Sequence, residues 1–326
     1  MKNVIGREVP EYIEGIGKTD MFIGAWEKLK KGWMDEPTIP PPNKAKTPHL
    51  SKICTNLEEA IKKTSPKDGM TVSFHHHLRN GDDILVRSIE ILANMGIKNI
   101  TLASSSLNEV HNPILKYLKD GTITKIWSSG IRGDIGKAIS EGVLNIPVII
   151  HSHGGRVRAI HTGKINLDLA IVAASAADEE GNATGSHGKS AFGSLGYASI
   201  DMRYSKQVIV ITDTMVEYPC IPISITQNFV DYVVKVDSIG DASKIATGST
   251  RITKSPMDLR IAKIAADVIE HSGLFVPGFS FQVGAGGASL AVAKFIREKM
   301  IKSKIKGSFI LGGVTSYVVD MLNEGL

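Results

Sequence analysis

Four stretches of this 326-residue sequence set chemically capable side chains directly after a short apolar run. The first is His75-His76-His77-Leu78-Arg79-Asn80-Gly81-Asp82, which follows Met70-Thr-Val-Ser-Phe74. Imidazoles, a guanidinium and an amide between a strand end and a helix start, where N–H groups face outward, suit a polycarboxylate or a phosphate. Successive residues on a strand alternate faces, so the three histidines cannot converge on one metal. His75 and His77 can share a face, but no carboxylate stands nearby as a third ligand, and no metal site is expected. The second stretch, His151-Ser152-His153-Gly154-Gly155-Arg156-Val157-Arg158, follows Pro147-Val-Ile-Ile150. Its glycines let backbone approach a ligand, and it reads as an anion-binding loop; a His-x-His metallohydrolase lacks its usual carboxylate here. The third, Asp178-Glu-Glu-Gly181-Asn182, is a tight turn in which Asn182 tolerates the left-handed conformation. The fourth, Gly284-Ala-Gly286-Gly287, can present N–H groups to a phosphate or to a developing oxyanion. It lacks the Gly-x-Gly-x-x-Gly spacing and the acidic partner of a dinucleotide site. The sequence also contains no Gly-x-Ser-x-Gly elbow and no Gly-x-x-x-x-Gly-Lys-Ser/Thr phosphate loop.

The elements that must hold these stretches alternate in type. Leu57–Lys63 reads as a helix and Met70–Phe74 as a strand. Asp82 or Asp83 caps a helix with a buried stripe of Leu85, Ile89 and Leu92 that ends at Gly96. Further strands are expected at Asn99–Ala103, Thr122–Trp127, Pro147–Ile150, Leu167–Ala173, Gln207–Thr212 and Tyr232–Val236. Helices are expected at Pro113–Leu118 and Asp134–Glu141. This alternation is that of an α/β protein with an open, mostly parallel sheet, whose ligands bind outside the carboxyl ends of the strands. A second unit starts at Ser255-Pro256-Met257-Asp258, where Ser caps, Pro fits the first helical turn and Asp favours the positive helix end. Its helix Leu259–Glu270 stops at Gly273. Strand Phe279–Val283, the glycine turn, helix Ser289–Met300, strand Ser308–Leu311 and helix Ser316–Asn323 follow. The expected domains are an irregular arm over 1–50, a first α/β domain over 51–252, and over 253–326 the start of a second, similar domain that is cut short. In the arm, Trp26 and Trp33 sit among lysines, and Pro37, Pro40, Pro41, Pro42 and Pro48 oppose both helix and ladder.

Composition excludes several function classes. Hydrophobic residues at 42% and charged residues at 22% rule out a disordered or fibrous chain. The formal charge of +5 is spread along the chain rather than gathered in one stripe, which favours small anions over nucleic acid. Cys54 and Cys220, the only cysteines, provide no disulfide framework and point to a reducing interior. No secretory signal or membrane-length apolar run is present, so a cytoplasmic protein with no membrane contact is expected.

Taken together, the motifs resemble a known family. Asp68-Gly-Met-Thr-Val-Ser-Phe-His-His-His-Leu-Arg-Asn-Gly-Asp82 is similar to the corresponding segment of citrate lyase α subunits, the citrate:acyl-carrier-protein transferases of the CoA-transferase superfamily. Asp178-Glu-Glu-Gly-Asn182 matches that superfamily's Asp-x-x-Gly-Asn turn, and Phe281-Gln-Val-Gly-Ala-Gly-Gly287 its glycine strand-turn. The resemblance runs from about residue 10 to the last residue and implies two CoA-transferase-type α/β domains with a site in the cleft between them. One departure is informative: many CoA transferases carry a Glu that takes CoA as a covalent thioester, and Gly312 or Gly313 falls at that position here.

The resemblance implies that acetyl is exchanged for citryl on a carrier-protein thioester through a mixed anhydride, without a covalent enzyme thioester. On this reading His75, His76, His77, Arg79, His153 and Arg156 bind citrate. Asn80, Gly81, Gly286 and Gly287 are the oxyanion candidates, and Gly284, Gly286, Asp178 and Asn182 receive the CoA-like group. No cofactor is held covalently; the substrate is the phosphoribosyl-dephospho-CoA thioester of the carrier, with acetyl-CoA as a surrogate. The implied partners are the β (lyase) and γ (acyl carrier) subunits and further copies of the chain, with no nucleic acid. Competing readings are a transferase for citramalate or another carboxylate, a non-catalytic assembly subunit, and a His-ligated metallohydrolase.

Overall fold

Leu169, Ile171 and Ala173 turn to one side of their strand and Ala170, Val172 and Ala174 to the other, and all six are buried. A strand apolar on both faces needs cover on both, which is the condition met inside a parallel sheet flanked by helices. The computed structural model describes residues 1–3, 5–21, 37–42, 44, 51–245, 251–284, 286–312 and 314–326. They fall into two units, Met1–Ile245 and Ala246–Leu326.

In chain order the first unit contains β1 (Ile53–Cys54), α1 (Leu57–Lys63), β2 (Thr71–Phe74), α2 (Ile84–Asn94), β3 (Ile100–Ser104), α3 (Leu115–Lys119) and β4 (Ile123–Ser128). It continues with α4 (Gly133–Ser140), β5 (Ile149–Ile150), α5 (His153–His161), β6 (Leu167–Ala174), α6 (Ala198–Tyr204), β7 (Ser205–Thr212) and β8 (Tyr232–Lys235). The eight strands form one sheet in the order β1-β8-β7-β6-β2-β3-β4-β5, and every pairing is parallel. Helices α1 to α4 cover one face through Ile61, Leu85, Ile89, Leu92, Leu118 and Ile135. Helices α5 and α6 cover the other through Ala159, Ile160, Ala198, Ile200 and Met202. From β2 the chain steps outward through β3, β4 and β5, then returns to place β6 on the other side of β2. The order therefore reverses between β2 and β6, and at such a reversal the loops leaving the two carboxyl ends diverge and open a crevice.

Residues 151–158, expected to form a loop, are corrected by the structure: only the first two lie outside α5. Ser152 accepts the Gly155 amide as N-cap, and the apolar end of the helix, Ala159 and Ile160, packs on Ile165, Leu167 and Ile200. Arg156 is buried beneath this helix. Its Nη2 donates to Ser73 Oγ at 2.8 Å and to Asp201 of α6 at 3.1 Å. Of the N-terminal arm, Tyr12–Ile13 and Gly17–Lys18 form a small antiparallel ribbon, and the Ile39 amide reaches the His161 carbonyl oxygen. Trp26, Trp33 and Pro48 lie outside the described residues.

The second unit contains α7 (Pro256–His271), β9 (Phe281–Val283), α8 (Gly287–Ser303), β10 (Ile310–Gly312) and α9 (Ser316–Asn323). Ser255 caps α7 by accepting the Asp258 amide, as its sequence predicts. β9 and β10 pair in parallel, and Ala266, Phe275, Ile296, Met300 and Met321 form the core beneath them.

Removing one member of a buried ion pair leaves the other charge without compensation. Asp201→Asn should therefore lower the unfolding free energy by about 3–5 kcal/mol in urea titrations. A loss below about 1 kcal/mol would mean that Arg156 does not depend on Asp201.

Candidate functional site

Phe74 ends β2 at the reversal point, and the chain then delivers its three histidines into different surroundings. His75 is buried, and its Nε2 donates to the Ala173 carbonyl oxygen of β6 at 2.8 Å. His77 is also buried, with Nε2 donating to the Ile239 carbonyl oxygen at 2.9 Å. The two rings lie 5.5 Å apart on one side, as strand alternation requires, and Phe192 packs against both. His76 points elsewhere and is half-buried. Its amide and its Nδ1 both meet Ser105 Oγ, the latter at 2.6 Å. This arrangement favours the tautomer with the proton on Nε2.

Asp82 closes the loop from below. Its Oδ1 accepts the Ile84 amide at the start of α2, and its Oδ2 accepts His111 Nε2 at 3.1 Å. His111 Nδ1 in turn accepts the Asn108 amide, which leaves its own proton on Nε2 to serve Asp82. His77 Nδ1 lies 3.7 Å from Oδ1. Burial opposes the charge on Asp82, but His77, the His111 hydrogen bond and the Ile84 amide prevail and hold its pKa at about 2. Burial moves the other way at two of the histidines. It takes His75 down to about 3, and, with the Arg79 cation adding to it, takes His76 down to about 4. Both rings are neutral at pH 7.

Arg79 and Asn80 stand on the short turn Arg79–Gly81 at the mouth of this loop, Arg79 with a left-handed φ of 55°. For a side-chain-bearing residue that conformation is uncommon and is held by its surroundings. Arg79 is partly buried, and burial and then the neighbouring Arg132 cation lower its pKa. Arg132 Nη1 donates to Asn108 Oδ1 at 3.1 Å. Gly81 plays a different part. A Cβ there would lie 1.9 Å from the Asp241 carbonyl oxygen, and its N–H already donates to the Leu78 carbonyl oxygen. Its glycine is thus required by close backbone approach, and its N–H is engaged within the turn.

The other expected site residues divide in the same way. Asp178 and Asn182 are brought together, but their polar atoms serve each other and the chain around them. Asp178 accepts the Glu180, Asn182 and Cys220 amides, and Asn182 exchanges hydrogen bonds with Gln227. These hydrogen bonds engage both side chains within the turn and its neighbours. His153 is exposed on α5 and stacks on Tyr197 at 5.6 Å. Arg156 has one nitrogen committed to Asp201 and Ser73. In the second unit, Gly286 is the N-cap of α8, and Gly287 packs so closely on the 251–253 segment that a Cβ would lie 3.2 Å from the Arg251 carbonyl oxygen. The opening N–H groups of this 17-residue helix have no intrahelical acceptor. A Cβ on Gly284 would meet Ser289 Oγ at 2.9 Å. Gly312 ends β10, and Gly313 lies outside the described residues.

Sequence reasoning missed Ser105, His111 and Arg132. Ser104-Ser105-Ser106 and Ser128-Ser129-Gly130 span the ends of β3 and β4, so the strand-end rule applied to β2 would have found Ser105. Nothing local marks His111, whose partner Asp82 is 29 residues away. Among the described residues, no group of three or more His, Cys, Asp or Glu could hold a metal, and no helix is long and apolar enough to cross a membrane.

A family model described as "Citrate lyase, alpha subunit (CitF)" matches residues 50–326. The chain belongs to the citrate lyase α-subunit family. The Escherichia coli K12 citrate lyase alpha chain is 50% identical over 275 residues, which cover 84% of this chain and 54% of that protein. A Streptococcus mutans protein, described as a citrate lyase α subunit and solved in complex with citrate, superposes with a TM-score of 0.89 at 48% identity. That match covers 100% of this chain and 62% of the other. An acyl-CoA transferase from Escherichia coli O157:H7, at 14% identity and TM-score 0.53 over 85% of this chain and 65% of its own, shares the CoA-transferase fold. The chain spans about half the length of the curated relatives it matches.

The buried histidines make stability fall with acidity. Their ordinary pKa is near 6.5, and folding takes His75 to about 3 and His76 to about 4, so in between the unfolded chain binds more protons. Stability should drop as pH falls below about 6.5, by up to about 1.4 kcal/mol per pH unit for each ring. Asp82, with its pKa lowered from 3.8 to about 2, adds a further loss only in that lower range. Urea midpoints measured from about pH 7.5 to about pH 4.5 should show the slope, and His75→Gln should reduce it. A flat wild-type profile would contradict the burial of these rings.

Proposed function

We propose that this chain carries the transferase step of citrate lyase, exchanging acetyl for citryl on the thioester of an acyl carrier protein. The observation that carries this reading is the Streptococcus mutans relative, which matches the whole of this chain and was solved in complex with citrate. The chemistry of the loop supports it: Arg79 and Arg132 offer two cations, and neutral His76 offers an Nε2–H donor, to a ligand with several carboxylates.

In the proposed reaction a citrate carboxylate oxygen attacks the acetyl thioester carbonyl. The C–S bond breaks, the carrier leaves as thiolate, and a mixed acetyl–citryl anhydride remains. The thiolate then attacks the citryl carbonyl, and the anhydride C–O bond breaks to release acetate and leave the citryl thioester. The attacking carboxylate is already ionised at neutral pH, so the protein has to position it rather than activate it. Both tetrahedral intermediates need N–H donors, and Asn80 beside the histidine loop is assigned that task. The phosphoribosyl-dephospho-CoA arm of the carrier is substrate in this scheme. The β lyase subunit, the γ carrier subunit and further copies of the chain are the proposed partners, in the cytoplasm.

Incubation with acetylated carrier, or with acetyl-CoA in its place, and citrate should yield citryl thioester and free acetate in equal amounts. Arg79→Ala should raise the citrate KM at least about tenfold while leaving the carrier KM unchanged. No turnover with intact carrier and lyase subunit present would remove the catalytic reading. Equal turnover with citramalate would widen the substrate class.

A further inference from the structure

His77 has oxygen acceptors at both of its ring nitrogens. Its Nε2 lies 2.9 Å from the Ile239 carbonyl oxygen, and its Nδ1 lies 3.7 Å from Asp82 Oδ1. A carbonyl and an ionised carboxylate can only accept, and a neutral imidazole carries one N–H. Either neutral tautomer therefore turns a lone pair toward an oxygen, in a side chain that is 1% exposed. Only the imidazolium, with a proton on each nitrogen, suits both neighbours.

Charge balance around Asp82 leads to the same ring. Both of its oxygens accept, Oδ1 from the Ile84 amide and Oδ2 from His111 Nε2, as an ionised carboxylate does. A charge so far from water needs a counter-charge as well as hydrogen bonds. Among the described residues its ion-pair neighbours are His77 and His111, with no lysine or arginine. His111 is excluded as the cation, because its Nδ1 accepts the Asn108 amide and so keeps a lone pair. That leaves His77. Its charge registers on the adjoining ring: burial first, and then the His77 cation, bring His75 down to about 3.

We propose that His77 is a buried imidazolium whose second proton latches the histidine loop to the 238–241 segment. The backbone closes the same gap: the Asp241 amide donates to the Gly81 carbonyl oxygen at 2.8 Å, and a Cβ on Gly240 would lie 2.0 Å from that oxygen. Loss of the proton sets a lone pair against Asp82 or against Ile239, and the contact loosens. The other groups around the ring are committed elsewhere. His75, on the same loop, gives its Nε2 to Ala173, and Asp83 lies 3.5 Å from Arg87. Asp241, from the facing segment, accepts Ser243 and lies 3.4 Å from Lys244. Phe192, packed on the ring from the 185–196 stretch, carries no charge. The proposal stands on these contacts and not on the transferase reading. It places a proton in control of the turn Arg79–Gly81, which lies between His77 and Asp82.

Long-range proton–nitrogen spectra of the full chain, labelled with nitrogen-15 at histidine, read the ring directly. At about pH 7 one histidine should show both ring nitrogens protonated, with both N–H protons protected from solvent. This signal should be absent from His77→Gln, and Asp82→Asn should return it to a single N–H. Raising the pH until the second proton leaves should speed exchange of the Asp241 amide at least about tenfold, while the amides of β6 stay protected. A wild-type spectrum in which every protected histidine carries only one N–H overturns the assignment without recourse to a variant. So does a doubly protonated signal that survives in His77→Gln. Exchange at Asp241 that is unchanged as the second proton leaves overturns the latch.

Discussion

Asp82 holds a full charge at 1% exposure, and three groups converge on it: the Ile84 amide, His111 and His77. Those contacts tie the histidine loop to the start of α2 and to the turn that follows β3. The adjoining residue, Gly81, packs its backbone on Gly240 and Asp241. A carboxylate removed from water is tolerated only when its lone pairs are met, so the loop has little freedom to move away from this arrangement. Arg79 and His76 inherit their positions from it. The left-handed backbone of Arg79 is sustained because the residues on either side are pinned.

A second buried charge does similar work on the opposite face of the sheet. Arg156 reaches through α5 to Asp201 and to Ser73 in β2, the strand that feeds the histidine loop. Buried ion pairs return little net stability after desolvation, and an apolar pair of similar volume could hold α5 to α6 as well. What an apolar pair could not do is tie both helices to Ser73 of β2 through directed hydrogen bonds. The two anchors, Asp82 and Arg156, flank the point where the strand order reverses, and that is where the polar side chains gather.

Much of this was legible in the residues. The apolar alternation of β6 and β7, the stripe of α2 and the Ser255-Pro256 start of α7 are local signals, and each element formed within a few residues of its expected place. The irregularity lay in α5. His153-Gly154-Gly155-Arg156 has low helix propensity and no apolar period, so it reads as a loop; it is helical because Ser152 caps it and Ala159 and Ile160 are buried. Asp178 and Asn182 were legible as a turn. That their side chains are used up inside it depends on Cys220 and Gln227, some forty residues further on.

Sequence by itself determined the parallel α/β class, the family, and the stretches in which imidazole and guanidinium would appear, because periodicity and motif spacing are properties of the local chain. Only the tertiary structure decided which of those groups are used up within the fold. His75 and His77 spend their Nε2 protons on Ala173 and Ile239, while His76, one residue from each, is left to face outward. The reason is that burial and hydrogen-bond partnership are set by segments distant in sequence. Ala173, Ile239 and Asp201 lie 98, 162 and 45 residues from the groups they engage in His75, His77 and Arg156, and no local pattern encodes those meetings.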